Sequence, residues 1–179
     1  MSAARSSPAG RARNWSWNRL ADRAARQLVE DSEVAPGDLV LELGAGDGAI
    51  TRHLVRHGAR VVAFELHPER AEQLRRQFGD DVKVVRADVR DLRLPTRPFT
   101  VVANPPFSGI QAVLVRLTHR SSRLERADLL VPRSVCNQWS TRLTRRSSSW
   151  SITDRRPVPR SAFTPRPRID VVHMTIRRR

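Results

Sequence analysis

Asn104-Pro105-Pro106-Phe107 is the stretch whose residue types could most directly do chemistry. An exocyclic amine on a purine is a poor nucleophile, because its lone pair is delocalised into the ring. The Asn104 side-chain oxygen and the Pro105 carbonyl oxygen can each accept one N–H of such an amine. Two acceptors so placed would draw the nitrogen toward a tetrahedral shape and free the lone pair for in-line attack on a methyl group. Prolines stiffen the loop and remove an N–H that would compete. Phe107 offers a face on which a base taken out of its stack can rest. The gain would come from positioning and electrostatics, with no need for a shifted pKa. The plainer alternative is a strand-ending Asn-Pro turn with a core phenylalanine.

A second group of residues could hold the methyl donor. Glu42-Leu43-Gly44-Ala45-Gly46-Asp47-Gly48 ends an apolar run. Its glycines allow a sharp turn and close approach of backbone to a ligand. With Ala49 last, the same run also fits the dinucleotide pattern G-x-G-x-x-A, so an NAD site has to be weighed. The acids favour S-adenosylmethionine. Glu42, two residues before the first glycine, suits a ligand carrying an amino group and a sulfonium better than a pyrophosphate. Glu65, followed by Leu66, can accept both hydroxyls of a ribose. Asp88, followed by Val89, can accept an adenine amine. Each acid alone reads as a solvated surface residue. Glu42, Glu65, Asp88 and Asn104 together fall at the carboxyl ends of four successive predicted strands, where open α/β sheets bind ligands.

Those strands alternate with helices. Strands are predicted over 39–43, 60–66, 82–85, 99–103 and 127–131, and helices over 49–57, 68–78 and 110–118, with Pro68 in a first helical turn. The rhythm predicts an α/β parallel sheet wrapped by helices. Residues 149–156 and 169–176 lack an intervening helix and suit an antiparallel pair. An added N-terminal helix is expected over 20–29. Residues 141–149 and 155–168 read as basic, Pro- or Ser-rich loops. Residues 1–13 read as a flexible basic tail, and 14–179 as one catalytic domain with no separate C-terminal RNA-binding domain.

The length, 179 residues, suits one core, and an apolar fraction of 39 % is too high for a disordered chain. The net charge is +15, almost entirely arginine, with Lys83 the lone lysine. Arginine's planar fork grips phosphate and stacks on bases, which points to a nucleic acid partner. A GC-rich genome explains arginine over lysine but not the charge excess. The single cysteine, Cys136, leaves no internal disulfide and no cysteine-built metal site, so no metal is expected. No apolar run is long enough to span a bilayer, and a cytoplasmic location fits.

N-P-P-[FYW] after a fourth strand, downstream of E-x-G-x-G-x-G, resembles the amino-methyltransferases. Within that group the chain resembles the Erm family of erythromycin-resistance rRNA adenine methyltransferases, with the rRNA dimethyladenosine transferases close behind. Residues 39–107 carry most of the likeness. Ala162-Phe163-Thr164-Pro165-Arg166-Pro167-Arg168-Ile169-Asp170 adds the family's F-x-P-x-P-x-V-[DE] segment. By motif placement the resemblance covers roughly four-fifths of the chain.

The resemblance implies a class I S-adenosylmethionine-dependent methyltransferase fold, Rossmann-like. Its seven-stranded sheet is mostly parallel with an antiparallel last strand, and helices cover both faces. Asn104, Pro105 and Phe107 would be catalytic. Glu42, Gly44, Ala45, Gly46, Gly48, Glu65, Leu66, Asp88, Val89 and Asn104 would hold S-adenosyl-L-methionine. Phe107 and Phe163 would flank the base, although Phe163 also reads as a loop aromatic tucked under the sheet. Arg142, Arg145, Arg146, Arg155, Arg156, Arg160, Arg166 and Arg168 would grip RNA. The implied target is an adenine N6 in 23S ribosomal RNA, naked or in an assembling large subunit, and its methylation would block macrolides. A monomer is expected. Two departures stand out: Asn14-Trp15-Ser16-Trp17-Asn18 replaces the family's Gln-Asn-Phe, and the chain stops at Arg177-Arg178-Arg179. Alternatives are a small-subunit rRNA or DNA adenine methyltransferase, a release-factor glutamine-N5 methyltransferase, and a silent RNA-binding assembly protein.

Overall fold

The computed structural model describes residues 18–144 and 148–179. The expected tail at 1–13, and Arg145 and Arg146, lie outside them. In chain order the elements are β1 (Arg19–Leu20), α1 (Asp22–Asp31), β2 (Leu39–Leu43), α2 (Thr51–Arg56), β3 (Arg60–Phe64), α3 (Pro68–Phe78), β4 (Val82–Val85), β5 (Phe99–Ala103), α4 (Ile110–Leu117), β6 (Leu124–Pro132), α5 (Arg133–Leu143), β7 (Trp150–Val158), β8 (Phe163–Thr164) and β9 (Val171–Arg178).

Seven strands form one sheet in the order β4-β3-β2-β5-β6-β9-β7, and β1 pairs with β8 in a two-stranded ribbon. The β2–β3, β3–β4, β2–β5 and β5–β6 pairs are parallel, whereas β9 runs antiparallel to both β6 and β7. All five residues of β2 and of β5 are buried, as expected for central strands covered on both faces. Alternation assigns the faces. Leu39, Leu41, Leu43, Val101 and Ala103 pack with α4 and α5 residues such as Leu114 and Trp139. Val40, Val61, Ala63 and Val102 pack with α1, α2 and α3 residues such as Leu28, Leu54 and Leu74.

The expected helix–strand alternation is present, with shifted bounds. The segment expected as helix from residue 20 opens as β1, and its helix begins at Asp22. The helix expected over 49–57 covers only Thr51–Arg56, because Gly48 at φ +81° and the turn around it occupy the approach. Strand β6 is longer than expected, since β9 pairs it from Arg126 to Pro132.

Helix α5 is a correction. Its Ser, Asn and Thr residues depress helix propensity, yet Cys136, Trp139 and Leu143 recur on one buried face and hold it. Residues 141–143 are helix and 157–158 strand where loops were expected, and 155–156, read both ways from the sequence, are strand.

Burial also holds one surprise on β6 and β9. Asp128 is fully buried, with His173 Nε2 and Thr175 Oγ1 each 2.8 Å from its Oδ1 and Arg126 Nε 2.5 Å from its Oδ2. Burial alone would raise the Asp128 pKa, but hydrogen bonds from His173, Arg126 and Thr175 hold it below the usual carboxylate range. No helix among the described residues is long and apolar enough to cross a membrane.

Candidate active site

The strand order reverses between β2 and β5, the kind of switch point at whose carboxyl ends open α/β sheets bind ligands. The glycine loop leaves β2 there, and Asn104-Pro105-Pro106-Phe107 leaves β5 beside it. Gly44 turns at φ +78°, and a Cβ on it would lie 3.1 Å from Pro106 Cδ and 3.7 Å from the Asn104 carbonyl oxygen. The glycine loop thus packs tightly on the Pro106 ring, and the positive φ favours glycine at this position. The Gly44 and Ala45 N–H groups both donate to the Phe64 carbonyl, at 2.8 and 3.0 Å, anchoring the loop to β3. Gly46 at φ +61° and Gly48 at φ +81° continue the turn.

Glu42 is 1 % exposed, and the Thr51 hydroxyl donates to its carboxylate at 2.6 Å. Burial pushes its pKa up to about 8, against the opposing Thr51 hydrogen bonds and with the help of the Glu65 and Asp47 charges. A buried acid of this kind is set to ionise when a cation arrives. Glu65 is 5 % exposed and accepts the Gly46 N–H on one oxygen and the His67 N–H on the other, each at 2.8 Å. A carboxylate has about four acceptor sites, so this acid shapes the glycine loop and keeps capacity for a ribose. Leu66 beside it is half-buried.

Asp88 accepts the Arg90 N–H at 2.9 Å and is gripped by the Arg90 guanidinium, 2.6 Å at the nearest contact. Any adenine amine at Asp88 would share the carboxylate with Arg90. Val89 is buried, and a Cβ on Gly109 would lie 3.0 Å from its side chain, so the loop after β4 packs on the turn that follows Phe107.

Asn104 is half-buried and its side-chain N–H donates to the Asn18 carbonyl at 2.8 Å. Pro105 is buried, whereas Phe107 is half-buried and packs against the cluster that contains Leu20 and Phe163. Phe163 is 2 % exposed. The second expected wall of a base pocket is buried in the apolar cluster against which Phe107 packs. It is β1 that brings this about: Leu20 pairs with Phe163 and Arg19 with Thr164.

Sequence reasoning counted Arg19 only as one of the arginines flanking the pocket, without a partner, and did not assign Asp47 or Thr51 a part. The Arg19 guanidinium pairs with Asp47, inside the glycine loop. Asp47 lay within a quoted motif and Thr51 in the helix that follows it. Arg19 gave no local signal, because its partner is 28 residues away.

Among the described residues, the arginines expected to grip RNA do not form one surface. Arg160, Arg166 and Arg168 belong to the segment between β7 and β9, at the end of the sheet where the catalytic loop emerges. Arg142 is at the end of α5, near the amino ends of the parallel strands, where the Arg179 guanidinium donates to the Leu143 carbonyl. Its guanidinium stacks 4.7 Å over the Trp139 ring. Arg155 is mid-strand and donates to Ser140 Oγ at 3.3 Å. Arg156 is paired with Asp31 at 2.9 Å and Asp154 at 2.6 Å, and Arg160 with Asp170 at 2.9 Å. Arg166 and Arg168 are exposed and have no acidic partner among the described residues.

Comparison with known proteins follows the same lines. The ribosomal RNA adenine dimethylase family matches residues 14–179. The chain is 34 % identical to an rRNA methyltransferase of Streptomyces thermotolerans, over 90 % of this chain and 57 % of that protein. It is 37 % identical to the mycinamicin-resistance protein MyrB of Micromonospora griseorubida, over 90 % of this chain and 54 % of that one. The chain thus spans little more than half the length of these relatives. Among solved structures, the 23S rRNA methyltransferase ErmE superposes with a TM-score of 0.74 at 27 % identity, covering 92 % of this chain and 70 % of that one.

Proposed function

The chain belongs to the ribosomal RNA adenine dimethylase family, and from that premise we propose that it methylates the N6 amine of an adenine in 23S ribosomal RNA, with S-adenosylmethionine as the donor. The single observation that carries this reading is the contact of two loops at the switch point, where Gly44 meets Asn104 and Pro106. A donor loop and an amine-accepting loop packed against each other would put methyl and nucleophile within one crevice.

The residues fit the cofactor by their own chemistry. The buried carboxylates of Glu42 and Glu65 suit a cationic, ribose-bearing ligand. S-adenosylmethionine supplies an electrophilic methyl group on a sulfonium. Glu65 and the glycine backbone at Gly44, Ala45, Gly46 and Gly48 would hold and orient it, with Leu66 and Val89 as apolar neighbours and Asp88 toward its adenine. Asn104 Oδ1 and the Pro105 carbonyl would accept the two N–H groups of the target amine, and Phe107 would stack on the extruded base. Residues 14–179 would form the catalytic domain. Arg166 and Arg168 are the best-placed phosphate ligands.

Resistance to macrolides, lincosamides and streptogramins is the biological consequence we propose for such a mark, and the name of the relative MyrB favours it over the other readings. The test uses labelled methyl donor with protein-free 23S rRNA, 16S rRNA, DNA and release factor in parallel. Label confined to adenine N6 of 23S rRNA supports the reading. Label in 16S rRNA, DNA or a glutamine would replace the substrate, and no label in any arm would remove the activity.

A further inference from the structure

We propose that the main-chain carbonyl of Asn18 is a positioning group that orients the Asn104 carboxamide and makes position 104 selective for an amide over a carboxylate. The inference rests on the reading of Asn104 as an acceptor of the target amine.

A carboxamide can present either its oxygen or its NH2 to a ligand, and the two rotamers differ little in shape. Only the oxygen can accept an N–H from an amine. In this chain the NH2 is occupied: Nδ2 donates to the Asn18 carbonyl at 2.8 Å. The oxygen is thereby turned to the opposite side. Flipping the group would set two oxygens against each other and leave a half-buried carbonyl without a donor, which is unfavourable.

The strap that carries Asn18 is held independently of Asn104. Leu20 is 3 % exposed in the cluster beneath Phe107. The strand β1 is paired with β8, and Ala21 N–H donates to the Ala162 carbonyl at 2.8 Å. Arg19 pairs with Asp47 in the glycine loop. The N-terminal strand, cofactor loop, catalytic loop and F-x-P-x-P segment are joined at one point. The carbonyl is therefore preorganised rather than induced by substrate.

The consequence is chemical. A carboxylate at 104 could also accept two N–H groups, and by charge would do so more strongly. Here it would face the Asn18 carbonyl with no proton between them. Protonated, the same side chain could donate its O–H to Asn18 and turn its other oxygen to the substrate, reproducing the asparagine. Asn104→Asp is thus expected to be nearly silent at pH 8 and to gain turnover relative to wild type as pH falls toward 5.5. Among the described residues, the charged groups on elements around this position are Arg19 on β1, Asp47 on the glycine loop and Glu42 on β2. They are common to wild type and variant, so the ratio of the two profiles isolates residue 104.

The experiment measures methyl transfer to protein-free 23S rRNA by wild type, Asn104→Asp and Asn104→Ala across pH 5.5–8.5, with cofactor affinity and melting temperature recorded for each. A variant-to-wild-type ratio that rises at least tenfold on acidification, with Asn104→Ala flat and inactive, is the expected result. An Asn104→Asp enzyme as active as wild type at pH 8, or silent at every pH, would overturn the positioning role. Turnover by Asn104→Ala would instead overturn the catalytic reading on which it rests. A second measurement is independent of turnover. In the 15N spectrum of the full chain, the Asn104 side-chain amide, assigned by its loss in Asn104→Ala, should exchange with solvent at least tenfold more slowly than exposed amides. Exchange at the exposed rate would overturn the contact itself.

Discussion

At the scale of the residue, most of the site's chemistry is set by which polar atoms are already occupied. Glu65 has each oxygen engaged by a backbone N–H of a different loop. Glu65→Ala should therefore weaken S-adenosylmethionine binding by about 1.5–3 kcal/mol while the fold persists. Isothermal titration measures this, and an unchanged affinity would remove the ribose role. Glu42 behaves differently. Folding raises its pKa to about 8, so the native state binds a proton that the unfolded chain releases near pH 4–5. The sign of the linkage follows: from this group the apo-protein loses stability as pH rises from about 4.5 toward 8, with no further loss above. A cationic cofactor favours the ionised form, so its affinity should increase over the same range. Glu42→Gln should flatten both profiles. Parallel melting curves for wild type and variant from pH 5 to 9 would show that this carboxyl is not titrating there. Phe107→Leu should reduce turnover more than Phe107→Tyr if a base stacks on the ring, and equal losses would argue for packing alone.

At the scale of the element, close approach and buried polarity decide what each segment tolerates. Gly48 has φ +81°, and a Cβ there would lie 2.7 Å from the Phe78 ring of α3. Gly48→Ala must strain the backbone and displace α3 together. We expect a loss of stability on the order of 1–3 kcal/mol with weakened cofactor binding, measured by denaturant melting and calorimetry. A variant as stable as wild type would mean that α3 yields without effort. The network on β6 and β9 gives a second case. Asp128 is fully buried against Arg126, His173 and Thr175. Removing the acid leaves the buried Arg126 guanidinium with only the exposed Glu33 carboxylate as its counter-charge and strips His173 and Thr175 of their acceptor, so Asp128→Ala should cost about 3 kcal/mol. Its depressed pKa implies stability that is present at neutral pH and is lost as pH falls through the acid range.

At the scale of the whole molecule, the arginines divide between two ends of the sheet. Arg166 and Arg168 are exposed near the catalytic end. Arg142 is far from it and stacked on Trp139. If RNA is drawn across the catalytic end, affinity should fall steeply with salt, with a log–log slope of roughly 0.7 per phosphate contacted on single-stranded RNA. Replacing Arg166 and Arg168 with alanine should flatten that slope and leave cofactor affinity unchanged. Arg142→Ala should do neither. Filter binding at several salt concentrations checks both, and an unchanged slope in the double variant would assign these residues to composition rather than contact.

The sequence by itself was enough for the parallel core of the sheet, the switch-point loops and the family. Those features are written in local patterns: apolar runs of strand length, glycines where φ must be positive, prolines that stiffen a loop, and acids at strand ends. Each depends on residues within a few positions of one another. What only the tertiary structure decided depends on partners distant in the chain. Helix α5 is held by a buried face that outweighs the poor propensity of its serines and threonines. Phe163 enters the core because β8 pairs with β1, more than 140 residues earlier. Asp128 stands within an apolar strand, and only β9 supplies its partners His173 and Thr175. Asn18 joins Asn104 across 86 residues through a main-chain carbonyl. A backbone carbonyl is present at every position, so no residue type announces it, and only the folding of the chain onto itself assigns it a partner.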